Sequence, residues 1–312
     1  MRIAIIGLGG IGGYFGTKLL LRYEKDREHE IIFIQRGIHL EKIRTSGLRY
    51  LTKNNDHLVH PSIVTDDPSR AGLFDLVVLC IKNYDLEKAL EAVSGNLKPG
   101  TVVLTVLNGM DIAERARNIL PRTTVLPGCI YLSATMDRPG VVRQTGGVGN
   151  FFFGPETGPV EEFRWLEKLL SDSGIKAVLS GDINVRLWEK YIFVSSFATI
   201  TTLYDRSIGQ IINDPSTFKQ AVCLMEEIRL LAARQGTTLD ESIIDSSLKR
   251  AALIPPETRT SFQIDFTFGK RVEFDTFTGY VYQKGRELGI PFPCHEEMYH
   301  RLKEMLDKRK SI

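Results

Sequence analysis

The sequence predicts an α/β fold: a doubly wound parallel sheet in the N-terminal part, followed by an all-helical C-terminal domain. Three observations predict it. Short β-branched runs alternate with helical patterns through about residue 126, as in a parallel sheet with crossover helices. Glycines crowd the first strand-to-helix turn, six of them within the first sixteen residues. From about Asp182 the strand signals vanish and long helical patterns take over.

Taken in order, Met1–Ile6 reads as a strand, Ile11–Tyr23 as a helix and Ile31–Gln35 as a second strand. Further strands are expected at Leu76–Ile81, Thr101–Leu107 and about Thr124–Leu126, with helices at Tyr84–Val93 and Met110–Leu120 between them. Asp137 to Pro159 is rich in glycine, proline and phenylalanine, which predicts antiparallel strands closing the first domain. Helices are then expected at Val185–Leu203, Pro215–Gln235, Phe277–Leu288 and His295–Leu306, with Ile254–Arg259 a proline-punctuated loop. The domains are read as 1–181 and 182–312.

Composition narrows the function class. A chain of 312 residues is comfortable as two domains. A net charge of +2 with 25% charged residues gives no general affinity for nucleic acid. The longest apolar stretches, Phe74–Ile81 and Thr101–Leu107, are too short to span a bilayer. The apolar start runs into glycines rather than a cleavage site. A cytoplasmic protein is therefore expected. Cys80, Cys129, Cys223 and Cys294 are scattered, without metal-ligand spacing, so free and mostly buried thiols and no metal are expected.

Gly7-Leu8-Gly9-Gly10-Ile11-Gly12 fits G-x-G-x-x-G after one strand and at the start of a helix. Gly7 allows a tight turn, Gly9 lets a pyrophosphate approach the backbone, and Gly12 lets helix and strand pack closely. The helix N-terminus then offers free N–H groups to the phosphates. This is a Rossmann-type dinucleotide fingerprint, with a ligand-free glycine turn as the plainer reading. At the end of the second strand stands Gln35-Arg36, where an NAD site offers a carboxylate. A guanidinium suits a 2′-phosphate, which points to NADP (NADPH); a solvated arginine is the alternative.

Lys82 and Asn108 sit at the carboxyl ends of neighbouring predicted strands, where open α/β sheets bind ligands. Lys190 lies within a strongly apolar helix, either on its polar stripe or as a buried, functional amine. Ser261 and Glu273 follow in a helix or loop segment, where a helix cap and a solvated charge are the plainer roles.

Together these residues resemble the ketopantoate reductase (2-dehydropantoate 2-reductase) family. The resemblance spans nearly the whole chain: the N-terminal glycine motif, Lys82, Asn108-Gly109, Trp188-x-Lys190, and Ser261 with Glu273 at the family's spacing. In such enzymes a Rossmann domain holds NADPH and a helical domain completes a cleft. Hydride goes to the carbonyl carbon of a 2-keto acid, on the route to pantothenate. The resemblance implies that Lys190 is the catalytic proton donor and contacts the substrate. It implies that Asn108 touches both nicotinamide ribose and substrate, and that Ser261 binds the substrate carboxylate. Glu273 is implied to meet the cofactor, and Arg36 and Lys82 to surround the adenosine 2′-phosphate.

The chain departs from the family pattern at Val194, Ala198 and Ile208, where the family carries amides. Apolar groups cannot make those hydrogen bonds, so a less hydroxylated 2-keto acid is an alternative substrate. Another dehydrogenase on the same plan and a non-catalytic NADP-binding regulator are further alternatives. The partner expected is a small-molecule 2-keto acid, with no nucleic acid and no membrane; homodimer formation is left open.

Overall fold

Arg2–Ile6 (β1) alternates its side chains between two apolar layers, and this alternation organises the N-terminal unit. Ile3 and Ile5 enter one layer, Ala4 and Ile6 the other, as a strand covered on both faces requires. The computed structural model describes residues 1–26 and 28–310. It divides into two units, Met1–Ile183 and the chain from Asn184 onward.

The first unit adds β2 (Glu30–Ile34), β3 (Leu48–Leu51), β4 (Asp56–Val59), β5 (Ile63–Thr65), β6 (Phe74–Leu79), β7 (Leu97–Thr105), β8 (Thr124–Arg138), β9 (Val141–Phe153) and β10 (Lys176–Leu179). Six strands pair in parallel in the order β5-β2-β1-β6-β7-β8. Ile3 lies opposite Ile31 on one side and Leu76 on the other. The order reverses direction between β1 and β6, so the ligand crevice of a doubly wound sheet is expected at their carboxyl ends.

Five helices accompany these strands: α1 (Gly10–Tyr23), α2 (Gly37–Ser46), α3 (Leu86–Val93), α4 (Ile112–Ile119) and α5 (Arg164–Asp172). Phe15 and Leu19 of α1 pack into the layer that holds Ile3 and Phe33, and Leu86 and Leu90 of α3 into the opposite one. Truncating any of these fully buried side chains to alanine should cost about 2–5 kcal/mol. β8 runs well past the expected Leu126 and turns at Gly140 (φ +80°) into β9, its antiparallel partner. β9 then recruits β3 and β10 in parallel, and β4 closes that edge by pairing with β3.

The second unit is helical among its described residues. It comprises α6 (Ile183–Tyr204), α7 (Ile208–Asn213), α8 (Pro215–Arg234), α9 (Ile243–Leu253), α10 (Ser261–Thr267), α11 (Tyr280–Leu288) and α12 (Pro293–Lys310). A π-helical turn, Asp275–Gly279, leads into α11. The starts of these helices are set by side chains. Ser207 and Gln210 form a capping box on α7, and Asp214 accepts from Ser216 and Thr217 ahead of Pro215 on α8. Glu227, buried on α8, accepts the N–H groups of Cys294 (2.8 Å) and His295 (2.9 Å) at the start of α12. It also holds His295 Nδ1 at 2.6 Å. Burial pushes the His295 pKa below its usual value, against the opposing pull of Glu227.

One expectation fails here. Cys223 and Cys294 are not free thiols: they form a disulfide between α8 and α12, with Cα atoms 6.3 Å apart. Their separation of 71 positions hid a pairing that helix packing creates. Cys80 and Cys129 form no disulfide. Among the described residues, no helix is long and apolar enough to cross a membrane.

Candidate active site

The turn after β1 is held from several sides. Gly7 N donates to Ile34 O at 3.0 Å, and Cys80 N donates to Ile6 O at 2.8 Å, which ties the ends of β1, β2 and β6 together. Leu8 N donates to Gln35 Oε1 at 2.8 Å, and Leu8 O lies 2.8 Å from His39 Nε2. The glycines differ in what they permit. Gly7 sits at φ +85°, and a Cβ there would stand 2.7 Å from Ile81 Cγ2 and 2.8 Å from Cys80 O. At Gly12 a Cβ would lie 1.8 Å from Gly7 O, so only glycine lets α1 approach the turn. At Gly9 a Cβ would meet nothing within 4 Å. Gly9 therefore faces open space at the N-cap of a helix of 14 residues, where the first N–H groups lack helical partners. That arrangement fits a pyrophosphate against the backbone.

The open side of Gly9 belongs to a cleft of about 530 Å³ lined in part by Gly7, Gly9, Gln35, Arg36, Cys80 and Lys82. The cleft lies at the carboxyl ends of β1, β2 and β6. The structure thus brings Gly7, Gly9, Arg36 and Lys82 to one place. It also adds groups that carry no motif in the sequence. Asp66 and Asp85 line the same cleft, and Asp85 Oδ2 accepts from Arg36 at 2.7 Å. Gln35-Arg36 carries no carboxylate of its own, and the fold brings one to Arg36 from 49 positions away. The guanidinium remains largely exposed, at 67% of its side chain, so it can exchange this partner for a ligand oxygen at modest cost. Leu8, Gly10 and Ile11 complete the loop without lining the cleft: Leu8 is buried, and Gly10 packs against the Ala134 carbonyl of β8.

Asn108 follows β7 and precedes Gly109, which adopts φ +122°. Buried Asn83 donates its side-chain amide to the Asn108 carbonyl, and Arg115 Nη2 donates to Asn83 O at 3.0 Å. The backbone that presents Asn108 is thus fixed by two side chains that carried no motif in the sequence.

In the second unit Lys190 is half-buried on α6, between fully buried Trp188 and Tyr191. Tyr191 donates its hydroxyl to Thr276 O (2.7 Å) and Phe277 O (3.0 Å). Thr199 and Thr278 share a hydroxyl bond of 2.7 Å. Both ties join the lysine-bearing helix to the π-helical turn, Tyr191 through backbone carbonyls and Thr199 through the Thr278 hydroxyl. Glu273, two positions before that turn, is 7% exposed; it is not the solvated charge of the plainer reading. Ser261 is exposed as the first residue of α10, while the cap belongs to Thr260, which accepts from Gln263 N at 3.2 Å. Val194 is half-buried, and Ala198 and Ile208 are buried.

Comparisons with known proteins bear on this arrangement. The family profile described as "Ketopantoate reductase PanE/ApbA" matches residues 3–158, and its C-terminal counterpart matches residues 182–306. The oxidoreductase YkpB of Bacillus subtilis (strain 168), named as uncharacterized, is 26% identical over 303 residues, or 97% of this chain and 98% of its own. The crystal structure of 2-dehydropantoate 2-reductase from Porphyromonas gingivalis W83 is 33% identical, with a TM-score of 0.84 over 97% of this chain and 99% of that one. A D-mandelate dehydrogenase, solved with NADH and anilino(oxo)acetate, is 21% identical and shares the fold at a TM-score of 0.88, covering 99% and 100% of the two chains. With both halves of the sequence matched and a doubly wound unit followed by a helical one, the chain belongs to the ketopantoate reductase family of nicotinamide-dependent oxidoreductases acting on CH–OH groups.

Proposed function

We propose that this protein uses NADPH to reduce a 2-keto acid to the 2-hydroxy acid, and that its substrate carries fewer hydroxyls than ketopantoate. The observation that carries the reading is the glycine turn. Gly7 and Gly12 are obligatory for packing, whereas Gly9 leaves open space at a helix N-terminus, as a bound dinucleotide requires. Arg36 and Lys82 in the adjoining cleft favour the 2′-phosphate of NADP, once Arg36 releases Asp85.

A bound nicotinamide supplies the hydride. The protein's own residues hold the acid and deliver a proton. Negative charge grows on the carbonyl oxygen as its carbon is reduced, so a positioned ammonium stabilises and then neutralises it. Lys190 takes that role, with its Nζ donating to the oxygen. Ser261 Oγ binds the substrate carboxylate, and Asn108 bridges substrate and nicotinamide ribose. Glu273 meets the cofactor; as a buried carboxylate it needs polar partners to stay charged.

Substrate choice follows from Val194, Ala198 and Ile208. None offers a hydrogen bond to a substrate hydroxyl, and leaving such a hydroxyl unpaired costs about 1–3 kcal/mol. The test is a panel of 2-keto acids, ketopantoate included, followed by oxidation of NADPH and of NADH. The expected result is turnover with NADPH and a better substrate than ketopantoate among the branched, less hydroxylated acids. Efficient reduction of ketopantoate with nothing better would overturn the substrate assignment, and no turnover with any acid would overturn the reaction.

A further inference from the structure

His39 has no part in the readings above, yet it is the side chain that touches the glycine turn from behind. It sits in the first turn of α2 and is 5% exposed. Its two ring nitrogens have two partners. Nε2 lies 2.8 Å from Leu8 O, a group that can only accept. Nδ1 lies 2.8 Å from Gly140 N, a group that can only donate. Both bonds form together in one state alone, the neutral imidazole protonated on Nε2. The ring therefore links the glycine turn to the turn between β8 and β9.

The Leu8 carbonyl matters because of what shares its peptide plane. In a trans peptide the following N–H points away from the C=O. His39 draws Leu8 O toward the interior, so the N–H of Gly9 is turned to the opposite side, and Gly9 lines the cleft. Leu8 N is anchored separately to Gln35 Oε1, so the backbone on both sides of Leu8 is clamped by side chains from β2's end and from α2. Arg36 is the N-cap of α2. One short stretch of chain thus presents a cation to the cleft and an imidazole to the turn.

We infer that His39 is a positioning residue for dinucleotide binding: by holding Leu8 O it aims the Gly9 N–H at the pyrophosphate. This rests on the proposal that the glycine turn holds a dinucleotide. The two bonds can be separated by substitution. The amide nitrogen of glutamine falls near the place of Nε2 and can keep the bond to Leu8 O, while losing Gly140. The amide oxygen of asparagine falls near the place of Nδ1 and can keep Gly140 N, while losing Leu8 O.

The experiment titrates NADPH into the full-length protein and into His39→Gln and His39→Asn, with thermal unfolding of each apo form alongside. Each variant loses one hydrogen bond, so both should melt at similar temperatures. The dissociation constant should stay within about threefold of the parent in His39→Gln and rise about tenfold in His39→Asn, the weight of one well-placed hydrogen bond. Equal constants for the two variants, or the weaker binding in His39→Gln, would overturn the inference, since a merely structural role follows stability alone. If the parent binds neither NADPH nor NADH, the dinucleotide reading fails first. Should a variant not fold, ring ¹⁵N shifts of the parent decide: Nε2 must carry the proton at neutral pH, and the opposite tautomer would overturn the inference.

Discussion

Replacing Gly9 and Gly12 by alanine, one at a time, separates ligand approach from folding within a single motif. At Gly12 the added methyl would stand 1.8 Å from Gly7 O and 3.1 Å from Cys80 Cβ. Backbone cannot swing aside as a flexible side chain can, so α1 must retreat from the turn. Overpacking of this kind costs about 1–3 kcal/mol. For a unit of 150–250 residues each kcal/mol is worth roughly 2–4 °C in Tm, so Gly12→Ala should melt about 2–12 °C lower. At Gly9 the methyl meets nothing within 4 Å. The only native penalty is that alanine caps a helix less well than glycine, at most about 1 kcal/mol. The methyl does occupy the space assigned to the pyrophosphate, so the same overpacking penalty falls on binding and NADPH should bind roughly 5- to 150-fold more weakly. Apo melting followed by circular dichroism, and NADPH titration, read the two effects separately. NADPH binding to Gly9→Ala at the parental affinity would refute the assignment of the phosphate site. An unchanged Tm for Gly12→Ala would refute the close approach of α1 to the turn.

Three further outcomes are expected. Arg36→Ala should narrow the preference for NADPH over NADH by about 1.5–3 kcal/mol, the worth of a hydrogen bond to a charged group; equal dissociation constants in the parent protein would contradict it. His39 and His295 both have pKa values pushed below 6.5 by burial, so the unfolded chain takes up their protons first. Stability should therefore fall as pH drops below about 6.5, and a Tm constant between about pH 7.5 and 5.5 would show that neither ring is held neutral. The disulfide closes a loop of 71 positions, worth about 4 kcal/mol by chain entropy. Cys223→Ser should lower Tm accordingly, and denatured, unreduced protein should show thiols only from Cys80 and Cys129.

The parts of the fold legible in sequence were those where burial leaves a continuous apolar trace. β1, β2, β6 and β7 are covered on both faces, and their β-branched runs stand out. β3, β4, β5 and β10 are three or four residues long, and all but β5 mix charged with apolar side chains, as in LRYL and DHLV. Too little pattern remains in them to read. β8 continues through polar residues to Arg138 because its second half pairs with β9 and is partly exposed. Phe277 is expected to open a helix, whereas the chain takes a π-helical turn first, and the carbonyls of that turn bind Tyr191, 86 positions before Phe277. The same limit applies to the site. The glycine turn is local, so its spacing carried the inference. The carboxylate beside Arg36, the imidazole behind Leu8 and the disulfide are long-range pairings that only the folded chain brings together.

Lys190 is proposed to deliver the proton to a 2-keto acid. That role is read from the turnover number and NADPH dissociation constant of Lys190→Ala, measured on the best substrate of the panel. The expected turnover number is lower by roughly 10²–10⁴-fold, the usual weight of a positioned acid, with NADPH affinity nearly unchanged. Near-parental turnover would contradict it, and so would a collapse of NADPH binding, which would place the lysine in the cofactor's service and leave the proton to another group.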